Sequence, residues 1–149
     1  MGSEMCIRDS SGIAGATGGC QAEVGSASAR GAAAAVEVAG GSAEQSAQAL
    51  AIAISNLLGL VCDPIAGLVE VPCVKRNAIG TTNALISADL ALAGCTSLIP
   101  PDECIQAMSN VGKLMPEELR ETGLGAVSYT HLTLPTTSRR CRSRWSPYH

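Results

Sequence analysis

Phenylalanine is absent from the sequence, and its aromatic residues, Tyr129, Trp145 and Tyr148, all stand near the C-terminal end. Everything before them must be packed with Ala, Gly, Leu, Ile and Val, whose small side chains let helix backbones approach closely. The two histidines, His131 and His149, lie in the same terminal stretch, so neither is a candidate base or ligand for the rest of the chain. Long apolar runs are missing too. The longest, Leu50 to Cys62, is interrupted by Ser55 and Asn56 and falls short of the roughly 18–20 residues that span a bilayer. No membrane partner is expected.

Charge is unevenly spread. All 13 acidic residues precede residue 122, whereas Arg139, Arg140, Arg142 and Arg144 crowd the end; residues 1–125 carry 6 basic and 13 acidic groups, a net of −7. So acidic a body argues against nucleic acid as a partner. A length of 149 residues suits one domain with a real core. The seven cysteines are odd in number and follow no secretory leader, so a disulfide framework is not expected. In a chain of cytoplasmic character, cysteines flanked by Gly and Pro point to metal or redox chemistry.

Helical signals dominate. A glycine-rich loop, Ser11 to Gly19, leaves Cys20 at the mouth of an Ala-rich helix over 21–38. No strand-like run precedes that loop and no Gly-Lys-Ser/Thr follows it, which weighs against a phosphate cradle and favours backbone amides approaching a thiolate or cluster. Gly40-Gly41 ends the first helix, and Ser42 to Gln45 forms a capping box for a second over about 43–58. Leu50, Ile54, Leu57 and Leu58 lie along its apolar stripe, and Gly59 stops it. A third helix, from Arg76 or Asn77 to Ala93, carries Ile79, Leu85, Ile86, Leu90 and Leu92. Pro100-Pro101 opens a fourth, with Asp102 and Glu103 in the first turn where the helix dipole favours acids. Pro116 opens a short last one. No period-two alternation appears, so the expected fold class is all-α.

Between the second and third helices lies CDPIAGLVEVPCVKRNAIG, residues 62–80. Pro64, Gly67 and Pro72 prevent helix continuation, so Cys62 and Cys73 sit on an irregular crossing. Cys20, Cys62 and Cys73 are separated by 42 and 11 positions, which matches no compact zinc or ferredoxin spacing. Spacing alone leaves the commoner role of a free cysteine, a small buried apolar side chain, in place. Cys95 and Cys104 are read as structural. Lys75, Arg76 and Asn77 follow Cys73 directly, and cations at a helix N-terminus oppose its dipole, so a counter-anion is expected there. Asp63 and Glu70 are candidate proton-transfer groups by proximity, though surface or capping roles suit them better.

The segments SGIAGATGGCQAEVGSASA and CDPIAGLVEVPCVKRNAIG closely resemble the catalytic part of the iron-sulfur-dependent L-serine dehydratases, also called L-serine ammonia-lyases. The likeness spans Ser11 to Gly125, although Arg30-Gly31 departs from the family's uninterrupted small residues and weakens the middle of the first helix. The resemblance implies that Cys20, Cys62 and Cys73 ligate a 4Fe-4S cluster with one iron lacking a protein thiolate. Its implied substrate is L-serine, converted to pyruvate and ammonia without pyridoxal phosphate. Asp63, Lys75, Arg76 and Asn77 become catalytic candidates beside that cluster. The resemblance further implies a beta subunit or beta domain as partner, a homo-oligomer as a further assembly, and more catalytic domain than this chain contains, with the base supplied by a local acid or lysine or by that missing part. A pyridoxal phosphate enzyme using Lys75 or Lys113, and a packing module with merely buried cysteines, are the competing readings. MCIRDS and VSYTHLTLPTT resemble translated adaptor sequence, so residues 1–10 and 126–149 are expected to be foreign to a catalytic part at 11–125.

Overall fold

The computed structural model describes Ile7 and residues 12–125. The two ends expected to be foreign, Ile7 apart, lie outside the described residues together with Cys6, Cys141 and both histidines. Among the described residues there is no strand, and the all-α expectation holds. The helices are α1 (Gly15–Gly18), α2 (Ser26–Val38), α3 (Ala43–Asn56), α4 (Cys73–Leu92) and α5 (Pro101–Leu114). A π-helical segment, Gln21–Gly25, runs directly into α2, and 3₁₀ turns occur at Ile65–Gly67 and Glu117–Leu119.

Local chemistry accounts for most boundaries. Alanine loses no side-chain entropy in a helix, which suits α2, and Gly40 at φ 80° ends it while the Gly41 N–H reaches back to the Val36 carbonyl at 2.9 Å. The Ser42 hydroxyl accepts from the Gln45 N–H at 3.2 Å, and the Gln45 side chain accepts from the Ser42 N–H at 2.9 Å. That pair satisfies two donors that the start of α3 would otherwise leave free.

Helices α2, α3 and α4 pack on one another, and α5 packs on α3 and α1. Their shared core is built mostly from Ala29, Ala32, Ala49, Ala53, Ala88 and Ala91, with Val36, Ile54, Ile105 and Met108 filling the larger spaces. Ile7 is buried in the same cluster. A β-carbon on Gly80 would lie 2.7 Å from Val24 Cγ1, and one on Gly31 3.4 Å from the Ala84 β-carbon. Arg30-Gly31 therefore does not interrupt α2. Gly31 faces Ala84 of α4.

This close approach sets which side of α4 packs. Gly80, Ala84, Ser87, Ala88 and Ala91 are buried, while Ile79, Leu85, Ile86 and Leu90, four of the large apolar residues this helix carries, are exposed. Only small side chains fit between backbones this near, so the bulky ones are turned outward. Leu58, expected in the stripe of α3, is likewise exposed because the helix ends at Asn56. Helix α4 also begins earlier than expected, at Cys73, with the Arg76 N–H bonded to the Pro72 carbonyl at 3.1 Å.

Candidate functional site

Cys20, Cys62 and Cys73 come from three different parts of the fold. Cys20 opens the π-helical segment, Cys62 lies on the loop after α3, and Cys73 is the first residue of α4. The first two are buried and the third is half-buried. Gln21, fully buried, positions Cys20 against the loop. Its N–H donates to the Leu60 carbonyl at 2.8 Å, its side-chain amide donates to the Met108 carbonyl at 3.0 Å, and its side-chain oxygen accepts from the Gly59 N–H at 2.9 Å. One side chain thus joins Cys20, the approach to Cys62 and α5. The Cys62 N–H donates to the Leu119 carbonyl at 2.9 Å, and the Ile65 N–H to the Val71 carbonyl at 3.0 Å closes the loop that ends at Cys73.

Electrostatics shows that the three thiols share one environment. Burial pushes the Cys20 thiol above its ordinary value, the nearby Arg76 guanidinium pulls it down, and Cys73 and Glu23 add like-charge repulsion. Burial also raises Cys62, opposed by the nearby Glu121 backbone amide, with Cys20, Glu121 and Cys73 again raising it. Arg76 additionally donates to the Val61 carbonyl. A single cation therefore faces Cys20 and holds the residue preceding Cys62.

Gly15 forms one wall. A β-carbon there would lie 3.0 Å from Glu23 Oε2, 3.6 Å from Glu121 Oε2 and 3.8 Å from Cys62 Sγ. Glu23 and Glu121 were not singled out from the sequence. Glu23 had a signal, since a residue three positions after Cys20 on a helix shares its face. Glu121 had none, because it arrives from the far end of the described chain. Beside it opens a cleft of about 440 Å³ lined by Ala16, Gly67, Arg120 and Glu121.

The remaining candidates are placed differently. Asp63 is buried next to Cys62, not on the surface as expected, and Glu70 is exposed. Lys75 points to solvent, and the exposed Asn77 lines a separate cleft between α2 and α4. Lys113 is exposed near the end of α5. Cys104 is buried with its sulfur 3.7 Å from the Ser55 hydroxyl, as a structural residue should be. Cys95 has an exposed side chain, and its N–H terminates α4 by donating to the Leu90 carbonyl at 2.9 Å.

A family model described as serine dehydratase alpha chain matches residues 2–128. This chain belongs to the serine dehydratase alpha chain family. Among its relatives, "Probable L-serine dehydratase, alpha chain" of Latilactobacillus sakei is 68% identical over 126 residues, covering 85% of this chain and 60% of that protein. "L-serine dehydratase, alpha chain" of Peptoniphilus asaccharolyticus is 64% identical over 116 residues, 78% of this chain and 40% of that protein. "L-serine dehydratase 1" of Escherichia coli is 43% identical over 117 residues, 78% of this chain and 26% of that protein. This serine dehydratase alpha chain family member thus spans between about a quarter and three fifths of these relatives.

Around Gly15 the converging donors of this serine dehydratase family member are the Cys62 sulfur and the Glu23 and Glu121 carboxylates, with Cys20 and Cys73 within electrostatic reach of Cys62; thiolates are the ligands iron-sulfur chemistry uses. Among the described residues, no group of three or more His, Cys, Asp and Glu could hold a metal ion. No helix among the described residues is long and apolar enough to cross a membrane.

Proposed function

We propose that this chain is the cluster-bearing part of an L-serine ammonia-lyase, a lyase converting L-serine to pyruvate and ammonia. What supports the reading is that Cys20, Cys62 and Cys73, from three separate elements, lie within electrostatic reach of one another, with Arg76 beside Cys20. These three thiolates would hold a 4Fe-4S cluster. When bound, such a group supplies Lewis acidity at the iron that carries no protein thiolate. Loss of the α-proton and the β-hydroxyl from serine gives aminoacrylate and water; tautomerisation and hydrolysis of the resulting imine return that water and release pyruvate and ammonia.

Each residue of this chain then has a defined task. Arg76 supplies positive charge next to Cys20, offsetting the negative charge that three thiolates bring. Glu23 and Glu121 present carboxylates beside Cys62, the groups best suited here to the substrate's ammonium. Gly15 keeps that corner free of a side chain. Asp63, Lys75 and Asn77 stay candidates for proton transfer or substrate contact, with Asp63 nearest the cysteines in the chain. The reading includes a beta subunit or beta domain and the rest of the alpha chain as partners, a homo-oligomer as a further assembly, the cytoplasm as location, and little turnover by this chain alone.

Anaerobic reconstitution with iron and sulfide tests the reading. The chain is expected to take up both and become coloured, and Cys62→Ala or Cys73→Ala to lose most of the bound iron. A colourless chain, or variants that retain full iron and sulfide, would instead indicate a packing module whose cysteines are merely buried.

A further inference from the structure

We propose that the outer face of α4 seats an apolar, uncharged helical segment from the part of the serine dehydratase alpha chain that this chain does not span. The inference rests on family membership and not on the reaction. Ile79, Leu85 and Ile86 are 59%, 57% and 51% exposed. From Asn77 to Ala88 the helix has no charged residue, although a face of three turns left to water ordinarily carries charges. Contiguous apolar exposure of this kind marks an interaction surface.

The shape agrees. A cleft of about 300 Å³ runs between α2 and α4 with Leu85 in its wall, and one of about 590 Å³ between α3 and α4 with Ile79 and Ile86 in its wall. A ridge between two grooves is what a packed helix requires. No charged side chain lines either cleft. Several of their polar groups are already bonded within the fold: Thr81 and Thr82 hydroxyls donate to the Asn77 and Ala78 carbonyls at 3.0 and 3.1 Å, and the Asn56 amide donates to Asn83 at 2.8 Å. An apolar segment can cover these groups without breaking their hydrogen bonds.

Two observations choose the occupant. The chain spans 40% of the Peptoniphilus asaccharolyticus alpha chain, so more than half of such a chain must pack somewhere. A second copy would instead bring together two acidic bodies, each with 13 acidic and 6 basic groups in residues 1–125, against their mutual repulsion.

The test is co-expression of the 149-residue chain with the part of the Peptoniphilus asaccharolyticus alpha chain outside the matched region. Expected are an equimolar complex, slowed hydrogen exchange over residues 77–90, and affinity lowered at least about tenfold by Ile79→Asp or Ile86→Asp. Leu98→Asp, at a residue 96% exposed and off this face, should leave binding unchanged, and circular dichroism should show all variants folded. Absence of a complex, a complex indifferent to both α4 substitutions, or a dimer of this chain dissolved by Ile86→Asp would each overturn the proposal. None of these readouts depends on iron uptake or turnover.

Discussion

Arg76, one turn into α4, donates a hydrogen bond to the main-chain carbonyl of Val61, the residue before Cys62. The same guanidinium lies close enough to Cys20 to lower its pKa against the effect of burial. It therefore connects the start of α4, the loop after α3 and the π-helical segment.

Removing that cation should raise the Cys20 pKa further, because the guanidinium is what opposes burial there. Thiolate is the reactive form. Alkylation of Cys20 at a fixed mildly alkaline pH should slow by about 2- to 10-fold in Arg76→Gln, and less in Arg76→Lys. Mass spectrometry of the labelled cysteine measures it, and faster labelling would contradict the assignment.

Burial raises both Cys20 and Cys62 above their unfolded values, so the folded chain holds these protons more tightly than the unfolded one. The stability they contribute is complete below the unfolded thiol value of about 8.5 and is lost as pH rises through the folded values. The urea midpoint of the metal-free chain should fall over that alkaline window. A Cys20→Ser, Cys62→Ser variant should show a shallower fall.

Gln21 uses its side-chain donor and acceptor in the interior. Gln21→Leu would strand the Gly59 N–H, at a cost of about 1–3 kcal/mol, and remove a second hydrogen bond from the Met108 carbonyl, which keeps its helical partner within α5. Urea titration should register the loss, and hydrogen exchange should quicken at Gly59 before it does in the middle of α3.

A methyl group at position 80 would meet Val24 Cγ1 at 2.7 Å. Gly80→Ala should destabilise by about 1–3 kcal/mol through overpacking, despite the better helix propensity of alanine. A thermal midpoint equal to or above that of the parent would show that the π-helical segment and α4 are not in such close contact.

Gly15→Ala places a methyl 3.0 Å from the Glu23 carboxylate oxygen and 3.8 Å from Cys62 Sγ. On the function proposed above, it should raise KM for L-serine in a complex with the remaining parts of the enzyme while leaving iron content near that of the parent. Equal KM values would separate the Gly15 corner from substrate binding.

Much of the fold was legible along the chain because its signals are local. The capping box at Ser42 and Gln45, the stops at Gly40 and Gly59, and the proline start of α5 each depend on a few neighbouring residues. Sidedness in α4 was not legible. Ile79, Leu85 and Ile86 look like a core stripe by hydropathy, but the spacing between α2 and α4 admits only Gly80, Ala84 and Ala88. The π-helical turn after Cys20 and the burial of Asp63 also lacked a local signal, since both depend on how the 59–62 loop crosses the start of α2.

The same division runs through the site. By itself the sequence determined that the chain is helical and aromatic-poor, and that three cysteines stand in glycine- and proline-rich contexts, because composition, caps and breakers act over one or two turns. Only the tertiary structure decided that Cys20, Cys62 and Cys73 share one environment, that Arg76 serves two of its approaches, and that Glu23 and Glu121 meet at Gly15. Those relationships join residues up to 106 positions apart, from Gly15 to Glu121, and packing of α1, α2, α4 and the terminal loop is what brings them together.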